Sequence, residues 1–194
     1  TLTDKASVEL FTQYLTLKKQ GLLKQEDETK MLEDISKQVT QEASLRPKYV
    51  EANLNVTEST KDTITIYGDR VAQVALGAYT RMDGYKNLKD MAYLSQIAKE
   101  YKTYAQELSE VRVPGVTKDI HLQLVNYIYN TGVFFESLVN ADADPFASLV
   151  VISQFRAMQI NDTQLYISLA QYFKNNAIIF DTESTNRFWN TFQN

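Results

Sequence analysis

The sequence predicts an all-α fold: an antiparallel helical bundle of about six helices that includes an N-terminal helical hairpin. Apolar residues recur at three- and four-residue steps along most of the chain. The 194 residues include only three prolines and six glycines, too few for an all-β protein with many turns. Short connections between the later helices favour antiparallel neighbours. We therefore expect helix over about 70% of the chain or more, and no sheet.

The first two predicted helices form the hairpin, which covers residues 1–45. The first helix runs over about 4–20 and ends at Gly21, and its recurring apolar side chains are Val8, Phe11, Tyr14 and Leu15. The second runs over about 25–43 and opens with acidic residues, which the helix dipole favours in a first turn.

A boundary is predicted where the helical spacing stops, over residues 44–58. Arg46 precedes Pro47 and is therefore biased towards extended geometry. This places the main helical bundle, with its C-terminal aromatic tail, at 58–194. Whether the hairpin and the bundle form one continuous domain stays open at this point.

The main bundle is predicted from the same spacing. Its long helices are expected at about 59–81, 88–108, 116–140 and 145–174, with a short helix in the tail. Gly68, Ala72 and Ala75 form a strip of small residues that lets a neighbouring helix approach closely. Asp144 followed by Pro145 is a strong helix start, and a kink is expected at 161–163.

Composition excludes several kinds of site. Because there is no cysteine and only one histidine, disulfides, thiolate metal sites and sites with two imidazoles are excluded. A net charge of −4 makes nucleic acid an unfavourable partner. The apolar runs are far shorter than the roughly 20 residues of a bilayer span, so we expect no span in this segment, and an anchor only before it. No cofactor is predicted.

Three polar residues on the predicted helix 116–140 are the candidate site: His121, Asn126 and Asn130. His121 falls on the apolar side of the helix, where a hydrogen-bonded core histidine is a commoner role than a ligand. Asn126 and Asn130 are one turn apart and are predicted to join a polar network inside the bundle.

The tail carries three aromatic residues, Phe188, Trp189 and Phe192, of which the first and last share a helical face. Leaving three such rings in water is unfavourable, so we expect the tail to fold back and bury Trp189. The alternative is that these residues form an interface for a partner.

Several short motifs resemble one group of proteins. They are the stretch VPGVTKDIHLQLVN at 113–126, the helix start Asp144-Pro145-Phe146, Gln171-Tyr172-Phe173, the following Ile-Ile-Phe, and Tyr67-Gly68-Asp69. Together they are similar to uncharacterised helical exported proteins of candidate-phyla-radiation (patescibacterial) bacteria, over roughly residues 1–180. That group tends to have asparagine where this chain has Asp69. The resemblance implies an extracytoplasmic or cell-surface domain behind an N-terminal signal or anchor, associated with cell-envelope machinery, and brings no assigned activity.

We therefore expect a non-enzymatic extracytoplasmic interaction or scaffold domain with a protein partner. The alternative is a small-molecule-binding or hydrolytic enzyme with a pocket near His121. A water-accessible cavity at His121 would favour the enzyme. An exposed apolar patch without such a cavity would favour the interaction domain.

Overall fold

The computed structural model describes most of the chain. The described residues are 1–19, 21, 29–30, 33–34, 37, 41–42, 44–83, 90–158 and 161–193. The second predicted helix, 25–43, lies largely outside them, although the residues described between 29 and 42 are helical.

The protein is mostly helical, as predicted. The α-helices whose bounds lie within the described residues are α1 (Leu2–Lys19), α2 (Lys61–Met82), α3 (Met91–Ser109), α4 (Lys118–Val139), α5 (Pro145–Ala157), α6 (Asp162–Asn175) and α7 (Glu183–Thr191). Short 3₁₀ turns at Glu51–Asn53 and Gly115–Thr117 lie between them.

The expected absence of a sheet is wrong. Strands β1 (Asn55–Thr57) and β2 (Arg112–Pro114) pair in parallel, with Val56 opposite Val113. Strands this short carry no usable alternation of apolar and polar residues, and β2 looked like the break between two helices. The pairing of β1 with β2 could not be predicted from local sequence patterns, because it joins segments that are far apart in the chain.

Side-chain caps fix where several helices begin. Thr60 caps α2 and exchanges hydrogen bonds with Thr63, so both ends of a capping box are present. Asn161 and Gln164 do the same for α6. The predicted helix 145–174 is therefore two helices, because the cap at Asn161 makes a full break where we expected a kink.

The chain divides into two compact units. The N-terminal unit comprises 1–45 and Glu136–Ala157, and the core unit comprises Arg46–Phe135 and Met158–Asn194. The sequence placed a boundary after residue 45 but gave no sign that 136–157 belongs with the first segment.

Asp144 organises the N-terminal unit. Its carboxylate accepts from the Ala147 amide at 3.3 Å, as a cap on α5, and also from the Leu2 amide at 2.6 Å. The Thr3 amide and hydroxyl donate to it at 3.1 and 2.6 Å. One carboxylate therefore satisfies amides at the start of two helices, which are otherwise without intrahelical partners.

The apolar side chains of α1 lie on two faces. Leu10 and Leu17 are half-buried, whereas Val8 is 66%, Phe11 62% and Leu15 37% exposed. The spacing predicted the helix correctly. It did not predict that the face bearing Val8, Phe11 and Leu15 would be left uncovered.

The core unit is built around α2, which contacts α3, α7 and β2. Its predicted strip of small residues, Gly68, Ala72 and Ala75, is buried. The largest fully buried side chains are Trp189, Tyr67, Tyr104, Tyr166, Phe173, Leu108, Leu124, Ile128, Leu169 and His121. The hydroxyl groups of Tyr104 and Tyr166 pair in the core, so each buried oxygen has a hydrogen-bond partner.

Two glycines provide a test of how closely α4 approaches α3. A Cβ on Gly132 would lie 2.9 Å from the Ala98 carbonyl oxygen and 3.3 Å from the Lys102 backbone nitrogen. Alanine is intrinsically better in a helix by about 1 kcal/mol, but overpacking against backbone costs about 1–3 kcal/mol. Gly132→Ala is therefore expected to lower the free energy of unfolding, measured by urea denaturation.

Gly77→Ala is the matched control, since its Cβ would meet only Arg81 Nη1, at 3.6 Å. It is expected to raise the free energy of unfolding by about 0.5–1 kcal/mol. Equal stabilisation by both substitutions would contradict the close approach of α3 and α4.

Candidate functional site

His121 lies fully buried on α4, between α2 and α3. Its Nε2 is 3.1 Å from the carbonyl oxygen of Leu108, which can only accept, so Nε2 carries the proton and donates. Nδ1 is then an acceptor for the Tyr67 hydroxyl, also at 3.1 Å. Both ring nitrogens are satisfied in the neutral form, without water.

Burial also keeps His121 neutral, because a charged imidazolium ring in the core would have no water to solvate it. Desolvation lowers the pKa of His121 from 6.5 to about 4, and the hydrogen bond to Leu108 opposes this only partly. At neutral pH the ring is a structural link between α2, α3 and α4. In that state it has no lone pair or proton left for a substrate.

Asn126 joins α4 to the segment that precedes β1. Its Oδ1 accepts from the Tyr49 amide at 2.9 Å, and its Nδ2 donates to the Tyr49 carbonyl at 2.9 Å. Nδ2 also donates to the Leu122 carbonyl at 3.1 Å. The side-chain amide of Asn126 therefore satisfies both backbone polar groups of Tyr49.

Asn130 is 7% exposed, and no donor in the described part of the chain reaches its Oδ1. Among the described residues, no hydrogen bond joins His121 to Asn126 or Asn130. All three candidate residues share a helix, but His121 has surroundings separate from those of the two asparagines.

The aromatic tail lies in the core unit. Trp189 is fully buried, its Nε1 donates to the Gly68 carbonyl at 3.1 Å, and its ring packs on Phe173 with centroids 4.8 Å apart. Phe188 is 6% exposed, and Phe192 is half-buried and stacks on Tyr166. The predicted burial of Trp189 is confirmed.

The described part of the core unit carries several clefts, and His121 lines none of the following three. One, of about 620 Å³, includes Arg70, Arg81 and Arg112, and Glu107 binds Arg81 at 2.8 Å. The second, of about 550 Å³, lies between α2 and α7. The third, of about 590 Å³, contains both Asn126 and Asn130.

The sequence did not predict the hydrogen-bond partners of His121 and Asn126. Tyr67 and Leu108 are the partners of His121, and Tyr49 is the partner of Asn126. Nothing local marks these residues as partners, because each is distant in the chain. The apolar stripe of α1 could be predicted, since Val8, Phe11 and Leu15 have helical spacing, but its exposure to solvent could not.

Comparison of the chain with protein-family models, with curated protein sequences and with solved structures finds no match. In the described part of the chain, no group of three or more His, Cys, Asp or Glu side chains is arranged as metal ligands would be. None of the described helices combines the length and the apolar character needed to cross a bilayer.

Proposed function

We propose that this protein is a non-enzymatic interaction domain that acts outside the cytoplasm and docks a protein partner on α1. The exposed stripe Val8, Phe11 and Leu15 is the observation that carries the proposal. The extracytoplasmic setting and the link to cell-envelope machinery are supported by the resemblance to exported helical proteins alone.

The stripe has the spacing of a helix–helix contact. Its members are three and four residues apart, so they project from one side of α1 over two turns. Single exposed apolar residues are ordinary, but a line of large ones on one face marks an interaction surface. Because an amphipathic helix docks with this spacing, the partner presents an apolar helix or groove.

We propose that the core unit is an antiparallel bundle and that the N-terminal unit contains a helical hairpin. Within the core unit, Tyr67 near the start of α2 and Leu108 at the end of α3 both bind His121. Arg81 at the end of α2 binds Glu100, in the middle of α3, at 2.9 Å. The link from Tyr67 through His121 to Leu108 joins the start of α2 to the end of α3, which supports opposite directions for these helices. In the N-terminal unit, Lys5 lies 3.7 Å from Glu42, which supports the hairpin.

Site-specific photo-crosslinking in the organism that makes the protein tests the docking face. A crosslinking amino acid at exposed Thr12, beside the stripe, is expected to capture one discrete protein. Adding Phe11→Asp should lower the yield about tenfold or more, because a buried aromatic anchor dominates a small apolar interface.

Ile179→Asp is the matched control, because Ile179 is 77% exposed but stands outside the stripe. It should leave the yield unchanged, and so should His121→Gln, which perturbs the core. Equal loss with Phe11→Asp and Ile179→Asp would contradict docking on α1. Resistance to protease added to intact cells would contradict the extracytoplasmic setting.

A further inference from the structure

We propose that the cleft beside Asn130 binds a small, neutral, mostly apolar molecule that carries an N–H or O–H donor. This site is independent of the docking face on α1. The cleft is lined mainly by apolar and aromatic side chains, among them Tyr49, Leu122, Met158 and Leu165. Its volume of about 590 Å³ lies inside the range of roughly 300–1,000 Å³ typical of small-molecule sites.

The side-chain oxygen of Asn130 is the reason why the ligand is expected to carry a hydrogen-bond donor. A buried amide oxygen without a donor destabilises a protein, so such an atom is expected to meet a donor that the chain itself does not supply. Asn130 lines the cleft, and rotation about its Cβ–Cγ bond is soft, so the amide can present Oδ1 to an occupant. An occupant with a donor group would satisfy this atom.

The segment 47–51, which lines the cleft, is fixed before any ligand arrives. The two hydrogen bonds between Asn126 and the Tyr49 backbone hold this segment against α4. Lys118 Nζ binds Glu51 Oε1 at 2.7 Å, which ties down the same segment. Because this segment is already ordered, binding of a ligand costs little conformational entropy there.

The lining also selects a neutral occupant. Glu51 is the one carboxylate among the described lining residues, and Lys118 already pairs with it. Desolvation raises the pKa of Tyr49 and of Tyr127, so both phenols stay uncharged at neutral pH. A charged ligand would lose its hydration and gain no counter-charge in the cleft.

Indole and benzothiophene form a probe pair that tests this site, since they have nearly the same shape and only indole carries an N–H. Titration of ¹⁵N-labelled protein should show shifts at Leu122, Asn126 and Asn130, with an indole Kd of about 1 mM, as expected for so small a molecule. Benzothiophene should bind about fivefold more weakly. Asn130→Leu should abolish this preference.

Val50→Trp should block the cleft and remove binding of both probes, because Val50 stands 54% exposed at its rim. Val116→Trp is the matched control, since Val116 is 56% exposed outside the cleft, and it should bind as the unmodified protein does. Failure of indole to shift any cleft residue at 10 mM, roughly tenfold above the expected Kd, would overturn the site. An indole preference that survives Asn130→Leu would overturn the role of Asn130.

Discussion

Trp189→Ala is expected to lower the free energy of unfolding by about 3–5 kcal/mol, a large effect for a single substitution. The ring is fully buried and lies between Phe173 and Phe188, with centroids 4.8 and 4.9 Å away. Its removal leaves a cavity and also strips the Gly68 carbonyl of its hydrogen-bond donor. Urea denaturation followed by far-ultraviolet circular dichroism measures the loss.

Two further variants separate the packing of Trp189 from its hydrogen bond. Trp189→Phe keeps much of the ring volume but lacks the N–H, so it should cost less than Trp189→Ala. Ile179→Ala, on an exposed residue of the same tail, should change the free energy of unfolding by no more than about 0.5 kcal/mol. A loss from Trp189→Ala as small as that of Ile179→Ala would show that the tail does not stabilise the core.

Acidification from pH 6.5 to about 4 is expected to remove stability on the order of 3 kcal/mol through His121 alone. The unfolded chain takes up this proton with the ordinary pKa of 6.5, and the folded protein with a pKa of about 4. Between these values the unfolded state holds more protons, so stability falls as the pH falls. The contribution is fully present above pH 6.5.

Comparison with the His121→Gln variant isolates this contribution. Carboxylates also titrate at low pH, but they affect the stability of the variant and of the unmodified protein alike. At pH 7 the variant should be less stable than the unmodified protein by about 1–2 kcal/mol, since glutamine cannot reproduce both hydrogen bonds. The gap should close or reverse at pH 4, where His121 is charged in the unfolded chain. A gap that is constant with pH would contradict a neutral, buried His121, and the single imidazole allows its titration to be followed directly by NMR.

The surroundings of His121 bear on the choice between an enzyme and a binding protein. His121 is the residue best suited to catalysis by its chemistry, yet it is committed to Tyr67 and Leu108 and lies in none of the three clefts. The stripe on α1 and the cleft beside Asn130, by contrast, are open to other molecules. Binding is therefore the proposed activity of both units.

The local features of this protein were determined by its sequence. The helix starts at Thr60 and Asp144 follow from side chains that bind amides three residues later, whereas we interpreted the similar signal at Asn161 as a kink. Burial of Trp189 followed from the cost of leaving a large ring in water. Such effects act over a few residues or on one side chain, so the chain by itself specifies them.

Tertiary structure alone decided which distant residues meet. It paired β1 with β2, gave His121 the hydroxyl of Tyr67, placed 136–157 in the same unit as 1–45, and left one apolar face of α1 open. A three- and four-residue spacing shows that a helix has an apolar face, but not what covers that face. Contacts between distant segments depend on how whole elements pack, and no local pattern records that packing.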